Sequence, residues 1–163
     1  MNSVSLMTRL AELTDYKNKI INRMVGSEQL CKALFYTEPD FLNKPAVEDP
    51  SGLIYQGIYS YRFVPKIDQQ PRTYITVTLK KFQPVKQTFK SGLIYFHVFT
   101  HTDLLPVAQG GTRVDYMLNQ IDELFNQQRG IGIGKLEFYV MNDFVLNELY
   151  TGSYLVYKTV DFN

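Results

Sequence analysis

From Leu93 to Thr100 the chain reads LIYFHVFT, apolar or aromatic at nearly every position. A run of that kind is expected of a strand at the centre of a sheet, covered on both faces. Within it Leu93, Tyr95, His97 and Phe99 share one face, because successive strand side chains point to opposite sides. The rest of the fold has to be arranged around this strand. A second strand is legible just before it, from Arg72 to Phe82. There Ile75, Val77 and Leu79 alternate with Tyr74, Thr76 and Thr78. Twelve Tyr and eleven Phe with no Trp fit this sheet-centred reading, since aromatic rings suit a pleated, half-buried surface.

The remaining elements follow from periodicity and punctuation. Met7, Leu10, Ala11, Ile20, Ile21 and Met24 recur at helical spacing, with Thr14 and Asp15 as a place where that helix can bend or split. Gly26 stops it, and Ser27 caps a second helix whose apolar side is Leu30, Cys31, Leu34 and Phe35. Residues 37–57, with Pro39, Pro45 and Pro50, read as an extended connection or a functional arm. Ile58 to Val64 is expected as a strand closed by Pro65, and Lys135 to Met141 and Ser153 to Phe162 as two more. Thr112 and Asp115 open a helix whose stripe is Val114, Met117, Leu118, Ile121, Leu124 and Phe125, ending near Arg129 and Gly130.

The expected fold class is therefore α+β: a mainly antiparallel sheet of about five strands, one long helix packed on it, and two N-terminal helices. At 163 residues a single domain is expected over 1–163, with leading helices in 1–36, the connection in 37–57, and the sheet and its helix in 58–163.

Candidate chemistry is sparse. The glycines at 130, 132 and 134 before Lys135 lack phosphate-loop spacing and lie between a helix and a strand, the wrong order for such a loop. His97, His101 and Asp103 are too few and too sequential for a zinc site. Cys31 is the sole cysteine. It allows no intrachain disulfide, points to a reducing compartment, and sits where it acts as a small hydrophobe. Carboxylate neighbours such as Asp122 and Glu123, or Glu48 and Asp49, read as solvated faces. No catalytic, metal or cofactor site is expected, and no enzyme.

A formal net charge of +1 offers no broad electrostatic attraction for nucleic acid. No apolar stretch approaches bilayer length, and the N-terminus does not read as a secretory signal, so the expected setting is cytoplasmic. The most suggestive surface is basic and aromatic: Lys80, Lys81, Phe82, Lys86, Phe89 and Lys90, around a hairpin connection. It could serve as a solvated hairpin end, a protein contact or, as a remote case, a nucleic-acid contact. Asp40 to Leu53 is the second candidate interface.

Arg113-Val114-Asp115-Tyr116 opening a helix, then Ile121-Asp122-Glu123-Leu124-Phe125-Asn126, resembles the corresponding helix of small phage neck proteins. The glycine turn before Lys135-Leu136-Glu137-Phe138 and the closing Tyr157-Lys158-Thr159-Val160-Asp161-Phe162-Asn163 extend the likeness over roughly Arg72 to Asn163. The chain resembles the head–tail joining proteins of long-tailed phages of Gram-positive hosts, with the tail terminator class first and a head-closure, stopper or adaptor subunit second. The resemblance implies a structural role in the virion neck, after assembly in the host cytoplasm. It also implies a homo-oligomeric ring, six-fold in the family, on the end of the tail tube. Its partners would be the tail tube protein and the head connector or stopper, with genome DNA able to pass through the ring without specific binding and no membrane contact.

Overall fold

The structure is a computed structural model that describes residues 2–67, 69–85, 88–131 and 134–160, with the backbone alone at 2–10, 83–85, 88–91 and 160. The chain opens with α1 (Asn2–Val25) and α2 (Glu28–Phe35). It then passes through a connection bearing two short 3-10 turns, Phe41–Asn43 and Pro50–Leu53. Five strands and one more helix follow: β1 (Ile58–Tyr59), β2 (Thr73–Val85), β3 (Thr88–His101), α3 (Arg113–Phe125), β4 (Lys135–Val145) and β5 (Tyr150–Val160). The strand order is β1-β2-β3-β5-β4, so β3 is central.

The expected architecture needs correction in two respects. The sheet is mixed, because β1 pairs parallel to β2, while every other pair is antiparallel. The chain runs through residues 60–72 before entering β2, so no hairpin joins the two strands. The helix on the sheet is also short. α3 spans 13 residues, its C-cap Asn126 is extended, and Gln127 takes a left-handed φ of 62°. Cover on the sheet is shared among α1, α2, α3 and the 3-10 turns rather than supplied by one long helix. The expected bend at Thr14 and Asp15 is absent, since α1 is continuous there.

One face of the sheet holds the main core. Ile75, Val77, Ile94, Phe96, Val98, Leu155 and Tyr157 meet Ile20 and Met24 of α1, Leu30 and Leu34 of α2, and Met117, Ile121 and Phe125 of α3. The 37–57 connection belongs to the same core: Phe41 and Leu53 are buried in it, so the short turns are packed elements. Ser27 and Thr112 both cap as their positions imply, accepting from Leu30 N–H at 3.3 Å and Asp115 N–H at 3.1 Å. Arg23 donates to the carbonyls of Leu124 (3.3 Å) and Arg129 (2.9 Å), a cation at the negative end of α3.

Arg113, the first residue of α3, is wholly buried. Its guanidinium donates to the carbonyls of Leu104 (2.9 Å), Ala33 (2.7 Å), Tyr36 (2.8 Å) and Glu38 (3.0 Å), and it lies 4.3 Å from the centre of the Phe41 ring. Burial lowers its pKa to about 10, with the Glu38 charge opposing. The side chain thus ties the end of α2, the start of the connection and the loop before α3 into one unit.

Tyr157 of β5 is buried and donates to Asp122 of α3 at 2.7 Å. Burial and then that carboxylate push its phenol far up. Tyr157→Phe removes a hydrogen bond to a charged acceptor and should cost about 1.5–3 kcal/mol. Urea unfolding measures this, and an unchanged midpoint would mean the bond contributes nothing net.

Candidate functional site

Among the described residues no helix lies on the second face of the sheet. Cross-strand register puts Tyr74, Phe99, Gly152 and Phe144 in one row of this face, and Thr76, His97, Tyr154 and Asn142 in the next. The expectation of β3 covered on both faces therefore holds in full on the helix side and in part on the other, where Phe99 is buried but Leu93, Tyr95 and His97 are half-exposed. On the open side a smaller cluster of Tyr59, Tyr74, Phe99 and Tyr150 provides the cover, with Phe63, Phe144, Leu146 and Leu149 around it. Phe63 stacks on Tyr59 with ring centres 3.9 Å apart.

Gly152 shapes this face. With no side chain at that point, Phe144 reaches across β5 to β3, edge-on to His97 at 5.3 Å and to Phe99 at 6.0 Å. Phe144 to Leu146 form one wall of a cleft, and Arg62 and Phe63 form the other. The floor is Thr76, Thr78 and Lys80 of β2 with His97 and Phe99 of β3, and the space is about 430 Å³. Lys80 Nζ stands 4.5 Å from the centre of the Tyr95 ring, a cation–π contact that holds it over the floor. No carboxylate is among the described residues that line the cleft. It is a basic and aromatic recess with two threonine hydroxyls.

The electrostatics of His97 follow from this setting. Burial lowers its pKa below the usual 6.5, and the charges of Lys80 and Arg62 lower it further. The sign of the linkage is set by that shift. Between the folded pKa and 6.5 the unfolded chain binds more protons than the folded one, so stability falls as pH drops through that window. Urea unfolding on either side of the ordinary imidazole pKa should show a loss on acidification that His97→Gln does not share. An equal loss in both proteins would place the effect elsewhere.

The YomW family profile matches residues 27–159, well over half of the chain. The chain belongs to the YomW family. That name is of a phage-derived, Bacillus type and points to a phage-associated protein. No curated protein and no solved structure matches this chain.

The basic and aromatic residues singled out in the sequence separate in the fold. Lys80 lines the cleft and Lys81 is exposed beside it. Lys81 has a φ of 57° and forms a bulge with Phe82, the two residues standing opposite Gly92 of β3. A bulge reverses the alternation beyond it. Phe82, which strict alternation places on the open face, instead packs half-buried against the main core and over Gly92. Phe89 and Lys90 belong to β3, their side chains outside the described set, and Lys86 lies outside the described residues.

The other candidates are dispersed. His97 faces the cleft, while His101 accepts from Asp103 N–H at 3.1 Å at the strand end. Among the described residues no three metal-ligating side chains gather. Cys31 is buried and its thiol is raised to about 11 by burial alone, so it carries little thiolate near neutral pH. Gly130 and Gly134 have positive φ values of 103° and 83°, as tight turns require, and residues 132 and 133 lie outside the described set. No helix among the described residues is long and apolar enough to cross a membrane.

The cleft escaped sequence reading because its residues come from four separate segments. Only the β2-β3-β5-β4 order brings Phe144 near His97. A faint signal was present in Gly152 within an otherwise bulky strand, since an interior strand glycine often marks close approach of another group.

Proposed function

We propose that this chain is a structural virion protein of the phage neck, which forms a ring on the end of the tail tube and joins it to the head connector, as a tail terminator does. One observation carries the reading: among the described residues no helix covers one face of the sheet, and the cleft on that face is bordered by half-exposed Phe63 and Phe144 with Arg62 and Lys80, which form no ion pair there. Such a face suits contact with other protein, because aromatic and arginine side chains supply interface area while keeping a polar tip. Family membership adds the phage association. A ring needs two different surfaces of each subunit to meet, and the helix-bearing side of the sheet and its cleft-bearing side are unlike surfaces.

The test is electron microscopy of lysates from a phage lacking this gene. Filled heads beside separate tails are the expected result. Heads that have lost their DNA would reassign the chain to head closure, and normal particles would remove it from the neck.

A further inference from the structure

We propose that the basic cleft receives the acidic tip of residues 45–50 from a second copy of the chain. The partner rests on the ring reading above, while the contact rests on charge. Arg62 and Lys80 form no ion pair among the described residues, and no carboxylate lines the cleft there. A complementary surplus sits elsewhere on the chain. Glu48 and Asp49 are both exposed, and among the described residues neither is in an ion pair. Uncompensated charges of opposite sign at two sites on one molecule favour head-to-tail contact between copies.

The segment is braced, and it borders a recess of its own with Phe35 and Tyr36. The Tyr36 hydroxyl donates to the Pro45 carbonyl at 2.8 Å, and Val47 packs against the main core. Asp49 accepts from the Ser51 hydroxyl at 2.7 Å and leads into the 3-10 turn that begins at Pro50. Prolines at 45 and 50 restrict the backbone on both sides, so little conformational entropy is lost on docking. Phe35, 49% exposed, lies beside the tip as an apolar flank. Val145, 74% exposed on the rim of the cleft, is its counterpart.

A copy does not fill its own cleft. The tip packs on the helix side through Val47, whereas the cleft opens on the other face. The groove between α3 and β4 also carries acids, Asp115 and Asp122, but Asp122 there already accepts from the Tyr157 hydroxyl at 2.7 Å. In the docked pair the Glu48 carboxylate lies between Arg62 and Lys80. His97, at the floor, then faces a carboxylate as well as the two cations, and its pKa rises.

Sedimentation velocity of the full chain over rising concentration and rising salt tests this. The expected result is self-association that weakens with salt. Arg62→Glu with Lys80→Glu, and separately Glu48→Lys with Asp49→Lys, should each weaken it by about tenfold or more. All four residues are at the surface, and circular dichroism of each variant confirms the fold. Mixing the two variants provides two complementary pairs, the native acids of one with the native cations of the other and the new lysines with the new glutamates, so they should associate with each other. Persistent monomers, swaps without effect, or failure of the mixture to associate would each overturn the docking. Association that ignores the swaps would leave the ring reading intact on another surface, while the gene-deletion phenotype judges that reading separately.

Discussion

Arg113→Met is expected to lower stability by about 3–5 kcal/mol in urea unfolding. Four backbone carbonyls converge on this guanidinium, and none belongs to a regular ladder that could take them back. Each acceptor left buried and unpaired costs about 1–3 kcal/mol. The gross loss is offset by no longer burying a charge, a cost visible in the lowered Arg113 pKa, and by methionine filling part of the space. The acceptors outnumber the one charge, so the loss wins. Arg113→Lys should fall between the wild type and Met, because an ammonium keeps the charge but lacks the planar fork that reaches Ala33, Tyr36, Glu38 and Leu104 together. A Met variant as stable as the wild type would refute the account. The lesion should also loosen the 37–57 connection before the sheet, read as faster amide exchange there.

Gly152→Ala is expected to be as damaging, at about 3 kcal/mol or more, with loss of soluble protein as the first sign. A Cβ at this position falls on the Val98 carbonyl oxygen and lies 2.7 Å from the Phe99 Cα. Those atoms are backbone of the central strand, so the clash cannot be relieved by a rotamer change. β5 has to move from β3, and nine register pairs join those strands. Gly111→Ala is the control. Its φ of 77° is unfavourable for alanine, but nothing lies within 4 Å of the added carbon. Only backbone strain of about 1 kcal/mol is then expected. Equal losses in the two variants would mean that conformation, not contact, makes Gly152 necessary.

Much of the fold was legible because it rests on local rules. The alternation at Ile75, Val77 and Leu79 does mark the core face of β2, and the stripe from Val114 to Phe125 does mark the core face of α3. Other features were hidden for physical reasons. The direction of β1 is set by the path of 60–72, which has no periodic signature. The reach of β4 to Val145 was missed because its far half, beyond Met141, includes Asn142 and Asp143, which weaken the strand signal. Lys81 gives no warning of a left-handed φ, yet that one residue decides that Phe82 joins the core. Arg113 was read as part of a helix opening, since arginine is usually a surface residue. Its burial depends on carbonyls up to 80 residues away in the chain. The cleft needed strand order, and no single segment encodes that.

Cys31 offers a use that its packing role does not suggest. It is the only thiol in the chain, it is 1% exposed, and burial keeps it protonated. A disulfide reagent can therefore report on it only when α2 lifts from the core, so the labelling rate is a clock for opening of the helix layer. Under conditions where reclosing outpaces labelling, that rate tracks the free energy of opening. Arg113→Met, which frees the end of α2, should run the clock much faster than Gly152→Ala relative to their global losses, because the first lesion lies in the layer that Cys31 watches and the second lies beneath it.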